Sequence, residues 1–158
     1  MAIFIILLFI FLIQDFLQVL VMGISLVPDL FLLCIIMLVL VRGGRKDKQT
    51  TLIWISFIGG LIWDLRWTNL PGLTSGFNGA VVAAAICLWY KAPVQGRTTP
   101  LFAVFAFVTQ ILSGMVHFVF WNVSTLAAMR QFAVQQILSL PALVILCYIF
   151  WKVSERNA

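Results

Sequence analysis

The chain has 158 residues, of which 63% are hydrophobic and only 9% charged, with a mean hydropathy of +1.13. A soluble domain is typically about half apolar and about a quarter charged, so this composition excludes a soluble globular fold and predicts an integral membrane protein. The net charge of +5 comes from basic residues that flank apolar runs without forming a surface interleaved with aromatics, which argues against nucleic acid as a partner.

Six apolar runs follow one another, at approximately residues 2–22, 27–41, 51–65, 76–90, 100–121 and 131–151. About 15 to 25 residues cross or nearly cross a hydrocarbon core, and irregular backbone is not tolerated against lipid. Each run is therefore predicted to be a transmembrane helix, six in all, of a single all-α integral membrane domain, residues 1–158. The first run, AIFIILLFIFLIQDFLQVLVM, has no basic residue before it and no small-x-small site behind it, so it reads as a retained helix and not a signal peptide. The second opens with Pro28, suited to a first helical turn, and Asp29, suited to the positive end of the helix dipole. Pro100 is expected to play the same part in the fifth run. On the fourth run Gly76, Ala80 and Ala84 recur every fourth residue, a stripe expected to admit another helix and to place this one inside the bundle. Cys34, Cys87 and Cys147 lie inside apolar runs at unrelated spacing, as packing residues and not as a disulfide or metal set.

The connection RGGRKDKQT carries Arg42, Arg45, Lys46 and Lys48 against Asp47, the connection after the fourth run carries Lys91 and Arg97, and the tail adds Lys152 and Arg156. The intervening connections hold far fewer basic residues. The positive-inside rule then puts the even-numbered connections and both termini in the cytoplasm. With that topology nearly every intramembrane polar residue falls in the outer half: Asp15 and Gln18, Asp29, Asp64 and Arg66, Asn69 and Asn78, His117 and Asn122, Arg130, Gln131, Gln135 and Gln136.

Residues 59–79, GGLIWDLRWTNLPGLTSGFNG, supply one wall of this polar region. A charge at a helix centre costs about 2.5 to 3.5 kcal/mol on insertion scales, so it needs a partner, a wet cavity or the bundle interior. Asp15 is the deepest acid. Its partner is open among Gln18 one turn on, Arg66, Arg130 and a ligand. Asp64 and Arg66 suit side chains reaching water at a helix end as well as a site. His117, alone on an apolar helix, suits a satisfied histidine, or a pH sensor if an acid lies near it. No HExxH, GxSxG or CxxC occurs, and nothing places Asp15 and Asp64 together as an aspartyl protease pair, so no enzyme is expected.

The stretch VPDLFLLCIIMLVLVRGG (27–44), in which Pro-Asp-Leu opens a helix ending in a basic loop, is followed by FIGGLIWDLRWTNLPGLTSGFNGAVVAAAICLWY (57–90). Together they resemble the rod-shape-determining protein MreD family, where a Pro-Asp pair precedes the second helix and a Gly-rich helix ends in an aspartate before a Leu-Gly turn. Here that turn reads LPGLTSG. The resemblance implies a non-enzymatic scaffold of the bacterial cell-elongation machinery, acting in cell shape and peptidoglycan synthesis at the cytoplasmic (inner) membrane, without cofactor or metal. It implies binding to MreC, alongside RodA, its penicillin-binding protein and MreB filaments, and a fold like the substrate-binding S-components of energy-coupling-factor transporters.

Under this reading Pro28, Asp29, Asp64, Arg66, Leu70, Gly72 and Asn78 form a docking surface at the outer face, and the loop with Arg42, Arg45, Lys46 and Lys48 meets cytoplasmic partners or membrane lipid. The alternative is a solute-binding transporter component with Asp15, Gln18, His117, Arg130, Gln135 and Asn78 lining a polar cavity. The first run lacks the small-x-x-x-small pattern by which such components pack on their energising partner.

Overall fold

Six α-helices follow in up-and-down order in the computed structural model, which describes residues 2–21, 27–42, 46–68, 70–120 and 125–157. They are α1 (Ala2–Leu20), α2 (Leu30–Arg42), α3 (Lys46–Trp67), α4 (Leu73–Lys91), α5 (Thr99–Phe120) and α6 (Thr125–Asn157), with a 3-10 turn at Val94–Gly96. Among the described residues four segments, and not six, are long and apolar enough to cross a membrane: Ile3–Leu20, Leu73–Lys91, Thr99–Val116 and Met129–Glu155. The α3 helix has 22 residues but carries charged residues at both ends, Lys46, Asp47 and Lys48 at its start and Asp64 and Arg66 near its finish. The α2 helix is apolar but has 13 residues, about 20 Å at 1.5 Å per residue against a hydrocarbon core of about 30 Å.

Its position explains how so short a helix is accommodated. α2 packs against every other helix, and Leu32, Leu33, Ile35, Ile36 and Val39 are almost wholly buried. The hub of the bundle is thus α2, while α4, expected inside the bundle from its small-residue stripe, packs against α2, α3 and α5. The α4 helix buries only one face, which includes Ser75, Asn78, Val82 and Trp89. Gly76, Ala80 and Ala84 lie on its exposed face. The close helix approach is made by α3 instead. A Cβ on Gly60 would fall 2.6 Å from the Ser75 Cα of α4, and one on Gly59 would run into the Phe31 ring of α2. Consecutive glycines let α3 press on two neighbours at once.

Two helices extend well beyond their apolar runs. α3 begins at Lys46, because Lys and Gln are good helix formers, Asp47 favours the first turn, and the Thr51 hydroxyl donates to the Asp47 carbonyl at 2.8 Å. The expected basic loop is therefore largely helix, with Arg42 closing α2 and Lys46 and Lys48 opening α3; Arg45 lies outside the described residues. α6 runs 33 residues through Pro141, about 50 Å at the ordinary rise, so it exceeds the hydrocarbon thickness. Pro100 sits in the first turn of α5 as expected, whereas Pro28 precedes α2.

At the end where α2, α4 and α6 finish, Phe102 stacks on Phe150 with centroids 4.2 Å apart, and Trp89 meets Phe150 and Phe105 edge-on. The opposite end holds Asp15, Asp29 and Asp64, while Asp47 and Glu155 lie at the aromatic end.

Candidate functional site

The first four N–H groups of any helix lack an intrahelical acceptor, and inside a membrane no water can supply one. α2 solves this with its own cap and with two amides from α1. Asp29 is the N-cap: its Oδ1 accepts the Leu32 N–H at 3.0 Å, and its carbonyl accepts that of Leu33. Gln14 Oε1 accepts the Phe31 N–H at 2.8 Å while its Nε2 donates to Asp29 Oδ1 at 3.4 Å. Gln18 Oε1 accepts the Val27 N–H at 2.9 Å, and Gln135 of α6 donates to the Val27 carbonyl at 3.4 Å. Gln14 and Gln18 stand one turn apart on α1, so a single face of that helix serves the start of α2.

α4 is capped from a distance. Asp64 is 0% exposed, near the end of α3, and its carboxylate accepts the Gly72 and Ser75 N–H groups on Oδ2 at 3.0 and 3.2 Å and the Thr74 N–H on Oδ1 at 3.1 Å. The Thr68 hydroxyl donates to Oδ1 at 3.1 Å. Gly72, with φ of 98°, gives the left-handed step that turns these groups toward the acid, a conformation other L-residues adopt only with strain. The negative charge also faces the positive end of the α4 dipole.

Asp15 finds its partners on α3. Arg66 Nη1 lies 2.8 Å from Asp15 Oδ2, and the Trp67 indole N–H donates to Oδ1 at 2.8 Å. Of the partners left open by the sequence, Arg66 is the one realised. Its side chain is 58% exposed, so one charge of the pair is buried and the other reaches outward. Asp15 and Asp64 thus have separate partners.

These placements correct the expected docking surface. Pro28, Asp29, Asp64 and Asn78 are buried, because Pro28 and Asp29 belong to the start of α2, Asp64 turns inward from the end of α3 to cap α4, and Asn78 lies on the inner face of α4. Arg66, Leu70 and Gly72 are exposed. Of the polar cavity set, Asp15, Gln18 and Gln135 are buried and bonded and Arg130 is exposed. The His117 side chain, Asn69 and Asn122 lie outside what is described. A void lined by Gln14, Asp29, Thr74 and Asn78 has only about 10 Å3, the space of one water. Thr74 Oγ1 and Asn78 Oδ1 have no protein partner. Gln110 of α5 is fully buried, and neither of its side-chain polar atoms has a hydrogen-bond partner among the described residues.

Sequence reasoning missed Gln14, Trp67 and Gln110. A signal for Gln14 was present in its one-turn spacing from Gln18 on an otherwise apolar helix; Trp67 and Gln110 carried none, since tryptophan at a helix end and a lone amide have many uses.

The class this fold defines is a helical membrane protein whose polar residues join helix ends. No family model matches the chain, and no curated protein or solved structure does so either.

Proposed function

We propose that this chain is a non-enzymatic scaffold of the bacterial cell-elongation machinery, an MreD-like protein with an S-component-like arrangement of helices. It binds MreC in the inner membrane with both termini cytoplasmic, alongside RodA, its penicillin-binding protein and MreB filaments. The observation that supports it is the condition of the polar end. Asp15, Gln14, Gln18, Asp29 and Asp64 all bond to protein groups, and the void among Gln14, Asp29 and Asn78 is about 10 Å3 where a small-molecule site needs roughly 300 Å3 or more. What that end leaves outward is the α3–α4 turn, with Leu65, Arg66, Leu70 and Gly72 exposed. An apolar rim with one cation suits a partner's membrane helix and its acidic or polar flank.

The test is co-purification of MreC from native membranes with wild type and with Leu70→Asp, a change at an exposed turn residue. Loss of MreC at an unchanged melting temperature is expected; full retention would refute this docking site. Unpaired Gln110 favours a second reading, a solute-binding transporter component, in which a bound solute pairs with that amide. A vitamin panel in a thermal-shift assay separates the two, because a tight ligand raises stability by mass action.

A further inference from the structure

At the end away from Asp15, Asp29 and Asp64, the ends of α2, α4 and α6 and the α4–α5 connection line an open pocket of about 290 Å3, with Glu155 next to its rim residue Ser154 in the chain. Its walls divide by chemistry. Leu40, Trp89 and Phe150 make an apolar floor, while Tyr90, Arg97 and Ser154 stand at the polar side. Arg97 is held firmly: Nε and Nη2 donate to the Ala92 carbonyl at 3.3 and 3.2 Å, Nη2 also reaches the Tyr90 carbonyl at 3.3 Å, and the guanidinium lies 4.9 Å from the Tyr90 ring centroid. Those bonds satisfy carbonyls at the carboxyl end of α4. Among the described residues Nη1 has no hydrogen-bond acceptor and no carboxylate pairs with Arg97. Lys91 and Lys152 stand exposed at the same end.

We propose that this cavity binds the headgroup of an anionic phospholipid. Its phosphate sits against Arg97 and the Ser154 hydroxyl, and its glycerol and upper acyl carbons lie on Leu40, Trp89 and Phe150. A guanidinium with donors to spare is a strong phosphate partner. A free phosphate would satisfy the rim but leave the apolar floor wet, whereas a phospholipid presents both chemistries. The depth also fits, since the apolar spans give way here to Lys91, Arg97 and Lys152, and basic pockets between membrane helices at this level suit anionic headgroups. Nothing in this inference depends on the scaffold reading.

The experiment uses the full chain in detergent, relipidated with phosphatidylglycerol or phosphatidylcholine, with retained lipid counted by native mass spectrometry and stability followed by thermal unfolding. Phosphatidylglycerol is expected to be retained and to raise the melting temperature; phosphatidylcholine and soluble glycerol phosphate are not. Arg97→Gln should abolish retention, but it also removes a helix cap. Ser154→Glu is therefore the cleaner variant: it lies on an exposed helix face, sets a carboxylate against the phosphate, and should lower retained phosphatidylglycerol at least about fivefold, the size of one basic contact near an anionic surface. Equal retention of both lipids, or unchanged retention in Ser154→Glu, would overturn the proposal. Equal stabilisation by glycerol phosphate would overturn it too, in favour of a soluble anion.

Discussion

The Asp64 carboxylate accepts the Gly72 backbone N–H at 3.0 Å, so the acid that ends one helix fixes the glycine that begins the next. Two of its other bonds, to the Thr74 and Ser75 N–H groups, enter the first turn of α4. Hydrogen bonds to a charged group contribute about 1.5 to 3 kcal/mol each, and buried donors left without a partner cost a further 1 to 3 kcal/mol. Asp64→Ala is expected to lose at least about 3 kcal/mol on that scale, and Asp64→Asn less, because one acceptor oxygen remains. Gly72→Ala should lose about 1 to 2 kcal/mol through its left-handed backbone alone. Reversible unfolding in mixed micelles measures all three; an Asp64→Ala loss below the Gly72→Ala loss would contradict this assignment. Charge reversal at Asp64 consequently disturbs the fold before any docking.

The glycines of α3 and α4 are expected to respond in opposite senses. Gly60→Ala brings a methyl to 2.6 Å from a backbone atom of α4, so the helices must separate and stability should drop by about 1 to 3 kcal/mol, the range for overpacking. Gly76 has nothing within 4 Å of an added Cβ, so Gly76→Ala should be neutral or gain up to about 1 kcal/mol in helix propensity. Thermal unfolding of the two single variants side by side decides the matter.

The Asp15–Arg66 pair should be strongly non-additive. Removing Arg66 alone leaves the buried carboxylate with the Trp67 N–H as its remaining described donor, while removing both charges leaves a neutral amide that the indole still satisfies. Arg66→Gln is therefore expected to be more destabilising than the Asp15→Asn/Arg66→Gln double variant, with a coupling of about 1 to 3 kcal/mol. A double-mutant cycle giving simple additivity would show that the pair is loosely solvated.

Gln14 joins α1 to α2 through two hydrogen bonds, and Gln14→Leu would strand the Phe31 N–H in an apolar setting. A loss of about 1 to 3 kcal/mol is expected. Hydrogen exchange at Phe31 and Leu32 should accelerate with it, more than exchange at Ile35 or Ile36 in the middle of α2.

Much of the helix pattern was legible without coordinates. Each of the six apolar runs corresponds to a helix, and Asp29 was placed correctly at the positive end of α2, because Pro-Asp before an apolar run is a local signal. The ends were less readable. Lys46–Lys48 looked like a loop because its residues are charged, yet charge does not oppose helix once a segment leaves the hydrocarbon. The stripe Gly76, Ala80, Ala84 pointed to a buried α4, but small-residue spacing marks a face that permits close approach without saying which side of the helix a neighbour takes.

By itself the sequence determined the membrane class, the number of helices and the gathering of polar residues toward one end. Those depend on a term that is nearly local: each run of backbone must satisfy its own hydrogen bonds in lipid, and each apolar side chain favours lipid or core whatever lies across from it. The tertiary structure alone decided that α2 is the hub, that Arg66 and not Gln18 or Arg130 meets Asp15, and that Asp64 caps α4. These are pairings between helices, and a hydrogen bond or ion pair in a low-dielectric interior exists only at about 3 Å, a separation that helix packing sets and no single run encodes.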